Sequence, residues 1–250
     1  MVAAEDTRRS RVLLSHLGAH PRLLSYHAHS TPRAAQAILS LLTAGQDVAL
    51  VTDAGTPGIS DPGAALVALV RASGHGVVPI PGPSAVTTAL SAAGLPADRW
   101  VFLGFLPRKG SERSRLLDRI GREEWTTVLF EAPGRVAALL QDLAAVAGGD
   151  RRAVVARELT KIHEEFRSGT LDELIAALGD AEDGLKGECT VLIEGTPLVP
   201  DGDGMARAGP AARRLLGAGV SRKDTASLLT DLFGVPRNEA YRMVTEVEAP

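Results

Sequence analysis

The chain has 250 residues, of which 45% are hydrophobic and 23% charged, and its formal net charge is −3. This composition is typical of a globular protein that buries a core in one or two domains. The charge argues against a generally basic nucleic-acid binder but allows a local basic patch, and an aromatic content of 4% argues against base-stacking modules.

Helices and short apolar strands alternate through the first part of the chain. Helices are predicted over 7–17, 32–44, 62–73 and 84–93, and strands over 47–51, 77–80 and 101–105. Such alternation is typical of an α/β protein with a largely parallel sheet. The sequence therefore predicts an N-terminal α/β domain over 1–104.

A second α/β domain is predicted over 105–197, followed by a linker over 198–210 and a tail over 211–250. Its helices are predicted over 111–120, 133–147 and 170–179, and its strands over 126–130, 152–158, 163–168 and 188–194. Tail helices are predicted over 211–216, 222–233 and 236–247, a pattern similar to a helix-turn-helix. Without a further signal, a small packing module is the preferred interpretation, and six basic against five acidic residues do not indicate a strong nucleic-acid binder.

The single cysteine, Cys189, lies in an apolar run and has no partner for an internal disulfide. It is therefore predicted to be a buried strand residue in a reducing compartment. No apolar run approaches the ~18 residues of a membrane span, and no leader precedes the first helix. These two observations predict a cytoplasmic protein. The six histidines show no metal-binding spacing, so the sequence predicts no metal site.

Two loops rich in glycine and proline follow the strands predicted over 47–51 and 77–80. The first covers 51–63, and the second is Pro81-Gly82-Pro83-Ser84-Ala85. Loops at the carboxyl ends of neighbouring parallel strands are where an open α/β sheet holds a ligand. For the first loop, the alternative is an ordinary turn in which Asp61 caps the next helix. Neither loop has the glycine spacing of a dinucleotide fold or a P-loop.

Further motifs occur in order along 2–196. They are Glu5-Asp6-Thr7-Arg8, Glu131-Ala132-Pro133-Gly134-Arg135, Arg157-Glu158-Leu159-Thr160-Lys161 with His163-Glu164-Glu165, and Lys186-Gly187-Glu188. Together with the two loops, they resemble the tetrapyrrole methylase superfamily, and within it the small-subunit ribosomal RNA cytidine 2′-O-methyltransferases. The resemblance implies a two-domain fold with a largely parallel N-terminal sheet, a mixed second sheet and a C-terminal helical appendage. It also implies S-adenosylmethionine as methyl donor, a homodimer, and a cytidine ribose in the decoding region as acceptor.

The resemblance also implies roles for individual residues. The cofactor-binding positions that match are Asp53, Gly55, Thr56, Ile59, Ser84, Ala85 and Phe130, although hydrogen bonds within the loop would equally explain Asp53. Candidate catalytic residues, which would activate or orient the ribose hydroxyl, are Glu158, Lys161, Asp6 and Arg8. For Asp6 and Arg8 the alternative is an ion pair at a helix start.

Contact with RNA requires cations, and these cluster in two places. One is the opening helix, and the other is the segment 106–122, which holds six basic and two acidic residues. The candidate RNA-binding residues are Arg8, Arg9, Arg108, Lys109, Arg113 and Arg135. If the resemblance is set aside, the alternative is that the basic segment is simply a solvent-exposed surface.

Only Val2-Ala3-Ala4 precede the Glu5 motif, whereas the resembling family has a first strand and a Thr-Pro-rich loop before it. A truncated or misassigned start is preferred over loss of this edge of the site, because loss of a central strand exposes unpaired backbone groups. Two other functions stay open: methylation of a tetrapyrrole, and a non-catalytic RNA-binding or assembly role.

Overall fold

The computed structural model describes residues 1–179, 185–196 and 202–246. The chain divides into two compact units, Met1–Glu194 and Gly195–Pro250. Unit 1 contains two separate β-sheets with flanking helices, and the described part of unit 2 is helical. The α/β fold class predicted from the sequence is confirmed, while the predicted domain limits at 104, 197 and 210 stay predictions.

The first sheet of unit 1 has three parallel strands in the order β2-β1-β3. Its elements are β1 (Val2–Ala4), α1 (Thr7–His16), β2 (Leu23–Ser25), α2 (Pro32–Thr43), β3 (Ala49–Val51) and α3 (Ala64–Ala72), followed by α4 (Ala85–Ala93). A small core of Ala3, Tyr26, Ile38, Leu66 and Val70 packs around this sheet. The parallel strands place the loop after β3 at their carboxyl edge.

The strand predicted over 77–80 is wrong, because the structure has no strand there. Val78 and Ile80 are 79% and 82% exposed. Pro79 interrupts this apolar run and has no backbone N–H to donate to a neighbouring strand. Val77 still packs against the core of the first sheet, so the segment is held at one end without joining the sheet.

The second sheet has five strands in the order β4-β5-β8-β6-β7. Its elements are β4 (Trp100–Phe105), α5 (Ser111–Arg122), β5 (Thr126–Glu131), α6 (Val136–Ala147), β6 (Arg152–Arg157), β7 (Glu165–Thr170), α7 (Leu171–Gly179) and β8 (Cys189–Ile193), with a 3₁₀ turn over Pro133–Arg135. β4 and β5 are parallel and the other pairs antiparallel, which confirms the mixed sheet.

Both faces of the second sheet are covered. Alternate strand residues such as Leu129 and Val155 pack with α5, α6 and α7 on one face. Their neighbours, among them Val128 and Leu192, pack with α4 on the other. This is the two-residue periodicity of a strand buried on both sides. Cys189 is 4% exposed in β8, so its prediction as a buried strand residue is confirmed.

Unit 2 contains three described helices, α8 (Gly202–Gly217), α9 (Arg222–Phe233) and α10 (Arg237–Glu246). The first tail helix begins at Gly202, well before the predicted start at Ala211, and Pro210 lies inside it. Burial of Ala208 against the same core as Ala212 explains this extension, because tertiary packing outweighs the helix-breaking residues nearby. The predicted linker residues 198–201 and the helix end at Val247 lie outside the described residues.

Candidate functional site

A cavity of about 370 Å³ lies in unit 1, with walls formed by both predicted loops and by the second sheet. The loop after β3 contributes Gly55, Thr56 and Ile59, and the start of α4 contributes Ser84 and Ala85. The two loops thus line one cavity, as expected from their sequence pattern. Within the described ranges, no cluster of three or more histidine, cysteine or acidic residues could hold a metal ion, and no helix could span a membrane.

The loop after β3 is fixed by its own backbone. Gly55, Gly58 and Gly63 have φ values of +69°, +84° and +146°, a region that other residues rarely adopt. A Cβ at Gly63 would lie 2.9 Å from Leu50 Cδ2. The Thr56 hydroxyl donates to the Pro83 carbonyl over 3.4 Å, which ties this loop to the second one. Glycine at these positions therefore lets the backbone turn tightly beside the cavity.

The start of α4 brings hydrogen-bond donors to the cavity. Ser84 is the N-cap residue and its side chain makes no capping hydrogen bond. The first N–H groups of an α-helix have no acceptor within the helix. Because Ser84 and Ala85 line the cavity, a ligand there can accept hydrogen bonds from this helix end.

The second sheet supplies an aromatic wall. Phe130 at the end of β5 packs edge-on against Phe102 and Phe105, with ring centroids 4.9 and 5.6 Å apart. Phe105 and Phe130 both line the cavity. Phe105 was missed by the sequence analysis, although its position at the end of a strand beside the predicted Phe130 is a usable signal. The wall suits a flat apolar group such as a heterocyclic base.

Glu131 and Arg135 form an ion pair at the edge of the cavity. The Glu131 side chain is 2% exposed, and its Oε1 also accepts from the Ala132 N–H over 2.8 Å. Arg135 was predicted to bind RNA, which stays a prediction, and its guanidinium pairs with a buried carboxylate while the side chain remains 38% exposed. The spacing of four residues between Glu131 and Arg135 is the sequence signal for this pair.

Asp61 also lines the cavity and was not among the predicted site residues. An alternative prediction made it the cap of the next helix, but α3 begins at Ala64 with Gly63 at its N-cap. Burial, followed by the nearby charge of Glu5, raises the pKa of Asp61 to about 6. Its place in a ligand-lining loop, beside Pro62, was the signal that could have identified it.

Asp53 is not among the cavity-lining residues. Its Oδ1 accepts from the Asp6 N–H over 3.2 Å, and its Oδ2 lies 3.6 Å from the Arg9 guanidinium. Its own N–H donates to Glu5 over 3.2 Å. These contacts join the loop after β3 to the start of α1 and are not bonds within the loop, so the ligand role of Asp53 stays a prediction.

Glu158 and Lys161 lie close together but not among the cavity-lining residues. Lys161 Nζ lies 2.9 Å from Glu158 Oε1 and 3.0 Å from Glu188 Oε2. The hydrogen bond with Glu158 raises the pKa of Lys161 and lowers that of Glu158. Glu188 does line the cavity, so the cluster reaches the site through a residue that the sequence analysis did not select.

The cluster is supported by an unusual backbone. Glu158 and Thr160 have φ values of +49° and +67°, in the left-handed region. Gly187, with φ of +88°, packs so closely on the Glu158 side chain that a Cβ there would collide with it. Strained residues of this kind persist when their surroundings hold them in place.

Asp6 and Arg8 form a local pair at the start of α1. Asp6 accepts from the Arg8 N–H over 2.8 Å and from the Arg8 guanidinium over 2.8 and 3.1 Å. These hydrogen bonds hold the pKa of Asp6 well below its usual range. The Arg8 side chain is 86% exposed, and neither residue lines the cavity.

The basic segment after β4 divides into paired and unpaired cations. Arg113 lies 2.6 Å from Asp142 and donates to the Pro107 carbonyl over 2.9 Å, so it holds the segment in place. Arg108 and Lys109 are exposed and make no ion pair within the described residues. Of the candidate RNA contacts in this segment, these two side chains are the accessible ones.

Comparison with known proteins places the chain in a family. The model for Tetrapyrrole (Corrin/Porphyrin) Methylases matches residues 1–175. A protein named ribosomal RNA small subunit methyltransferase I from Synechocystis sp. is 42% identical over 250 residues, which are 100% of this chain and 89% of the relative. One of the same name from Xylella fastidiosa is 43% identical over 242 residues, covering 96% and 88%.

Solved structures share the fold at low sequence identity. The methyltransferase CobJ has a TM-score of 0.55 at 18% identity, over 78% of this chain and 93% of its own. Uroporphyrin-III C-methyl transferase from Thermus thermophilus, complexed with S-adenosyl homocysteine, has a TM-score of 0.53 at 17% identity, over 77% and 84%. These structures show the fold, while the family model and the relatives of about 40% identity confirm the resemblance found in the sequence: the chain belongs to the tetrapyrrole methylase family.

Proposed function

We propose that this protein transfers the methyl group of S-adenosylmethionine to small-subunit ribosomal RNA, and that the acceptor is the ribose 2′-hydroxyl of a cytidine in the decoding region. The observation that carries the proposal is the 42% identity over 250 residues to a relative named ribosomal RNA small subunit methyltransferase I. The names of the relatives, which refer to ribosomal RNA, support RNA over a tetrapyrrole as acceptor.

The cavity fits the proposed methyl donor. Its volume of about 370 Å³ falls within the range of roughly 300–1,000 Å³ that small-molecule sites occupy. Gly55 and Ala85 leave room for close approach, and Phe130 offers an apolar face for adenine. The donors at the start of α4 suit the carboxylate of the methionine part.

S-adenosylmethionine supplies an activated methyl group that an oxygen nucleophile displaces in line. Catalysis then depends on how the protein orients the two reactants, since a correct geometry replaces an encounter in solution. The loop after β3 and the start of α4 hold one reactant. Arg108 and Lys109 contribute phosphate contacts that hold the RNA.

The decisive experiment is transfer of labelled methyl to small ribosomal subunits that lack their native methylations. Labelled ribose 2′-O-methylcytidine in the digested RNA is the expected product. Label in a base, or in a tetrapyrrole offered in parallel, would contradict the proposed acceptor. RNA binding without any methyl transfer would favour the non-catalytic alternative.

Gly55→Val tests the donor site. We expect it to abolish S-adenosylmethionine binding in calorimetry, because the added side chain enters a cavity wall. Gly74→Val is the matched control: Gly74 has φ of +83°, a Cβ there would have no atom within 4 Å, and the residue does not line the cavity. Equal loss of affinity in both variants would point to backbone strain and against the assigned site.

Arg108→Glu with Lys109→Glu tests the RNA contact. We expect weaker RNA binding, with a salt-dependence slope smaller by about 2, and unchanged donor affinity. Arg222→Glu with Lys223→Glu on α9 gives the same change in net charge as a control. An equal effect of the control pair would assign the loss to overall charge or to unit 2. The homodimer stays a prediction, which sedimentation would test, and so does the cytoplasmic location.

A further inference from the structure

Three carboxylates line the cavity, and they differ in their partners. Glu131 is held by Arg135, and Glu188 is held by Lys161. Asp61 makes no ion pair within the described residues. A carboxylate that must accept a proton keeps that ability best when no cation holds its charge.

The position of Asp61 is also fixed, although its side chain does not cap the following helix. It does not cap α3, because Gly63 occupies the N-cap. Pro62 restricts the backbone on one side of that turn, and Gly63 has a φ of +146° that packs it against Leu50 and Gly58. The carboxylate therefore lines the cavity on a stiff segment and is not needed to cap the next helix.

The charges around Asp61 favour its protonated form. The charges of Glu5 before α1, Asp53 after β3 and Glu188 before β8 all act on it, and the nearby Thr52 side chain opposes them. Burial, then these acidic neighbours, raises the pKa of Asp61 to about 6, while the Thr52 hydrogen bond opposes that rise. A general base works best when its pKa lies near the pH at which the enzyme operates.

The other candidate bases are placed less well. The pKa of Lys161 is raised by Glu158 and Glu188, so it stays protonated at neutral pH. The pKa of Glu158 is lowered by the same lysine, which makes it a weaker base. Neither residue lines the cavity, whereas Asp61 does.

We infer that Asp61 is the general base of the methyl transfer, taking the proton of the acceptor ribose 2′-hydroxyl. The inference rests on the proposed function. As the 2′-oxygen bonds to the methyl carbon, its proton passes to the Asp61 carboxylate and the electron pair of the broken carbon–sulfur bond stays on sulfur. The Asp61 carboxylic acid then returns its proton to water, which restores the base.

Asp61→Asn removes the base with almost no change in shape. At saturating RNA and S-adenosylmethionine, we expect kcat to fall at least about 100-fold, with donor affinity within about threefold of the wild type. The wild-type profile should rise with pH through about 6, and the variant should lose this rise. Thermal unfolding of both proteins verifies that the variant is folded.

Glu5→Gln is a second, milder variant that leaves the base in place. Because the charge of Glu5 raises the pKa of Asp61, its removal should move the rise in kcat to lower pH while activity at pH 8 is retained. If Asp61 had a purely structural role, removing the charge of Glu5 would not shift the pH dependence of kcat.

Three results would overturn the inference. An active wild type with an equally active Asp61→Asn variant would remove the role of Asp61 and leave the proposed function intact. Loss of donor affinity with unchanged kcat would make Asp61 a ligand of the cofactor. A wild type that methylates no ribose would overturn the proposed function and this role together.

Discussion

The two sheets of unit 1 differ in how their residues are held in place. β8 in the second sheet is buried along its whole length, and helices cover both faces of that sheet. The strands of the first sheet have three residues each, and no residue of α1 is buried. The second sheet is held in place by buried side chains, whereas the position of the first sheet depends largely on the loops that connect its strands.

This difference divides the cavity into two kinds of wall. The wall with Phe130 stands on a packed frame, and the half-exposed ring of Phe105 packs against Phe130. The wall with Gly55, Thr56 and Asp61 depends on backbone angles that only particular residues adopt. Substitutions should therefore act through lost packing on one side and through backbone strain on the other.

The largest expected effect is on the packed side. Leu192→Ala should lower the free energy of unfolding by about 3 kcal/mol, because Leu192 is fully buried between Val128 and Val154. Leu50→Ala in the first sheet, where the side chain is partly buried, should cost about 1 kcal/mol. Urea unfolding followed by tryptophan fluorescence measures both. Equal costs would remove the contrast between the sheets.

Gly63→Ala tests the loop side. A Cβ at Gly63 would lie 2.9 Å from Leu50 Cδ2, at a φ of +146°. We expect the free energy of unfolding to fall by about 2 kcal/mol and donor affinity to fall more than in Gly74→Ala, whose Cβ would meet open space. Thermal unfolding and donor affinity are the measurements. If Gly63→Ala bound donor normally, the loop would be less dependent on its glycines than we infer.

Asp61→Asn should stabilise the fold slightly, with a defined pH dependence. Since the folded pKa is raised to about 6, the stability that protonated Asp61 contributes is present below its ordinary pKa of 3.8 and is lost as the pH rises through 6. At pH 8 the variant should gain less than about 1 kcal/mol, because solvent screens the carboxylate. Melting temperatures at pH 4 and pH 8 measure this, and an equal gain at both would contradict it.

The smallest effect is expected at Ile80. Ile80→Ser should change stability by less than about 0.5 kcal/mol, because the side chain is 82% exposed. The same urea measurement applies. A large loss would mean that the segment over 77–80 packs against a partner in solution.

Local sequence patterns predicted what local forces determine. The helix over 222–233 matches α9 at both ends, because Ser221 caps it and Gly234 ends it in the left-handed region. The two glycine- and proline-rich loops were also predicted to line one site, and they do. Glycine and proline restrict the backbone in ways that can be read from neighbouring residues alone.

What the sequence did not reveal depends on neighbours distant in the chain. The run over 77–80 is apolar like a strand, but a strand needs a partner, and apolarity does not provide one. The environment of Asp61 comes from Glu5, Asp53 and Glu188, which only the fold brings together. The link between Lys161 and Glu188 joins the segments before and after α7 in the same way.

Cys189 gives unit 1 a built-in chemical reporter. It is the only cysteine of the chain, it lies in the cavity wall, and burial raises the pKa of its thiol to about 11. A thiolate is the form that reacts with alkylating reagents. Because the thiol lines the cavity, its modification rate should report how accessible this cavity wall is to the reagent. That rate can be read by mass spectrometry without introducing any label.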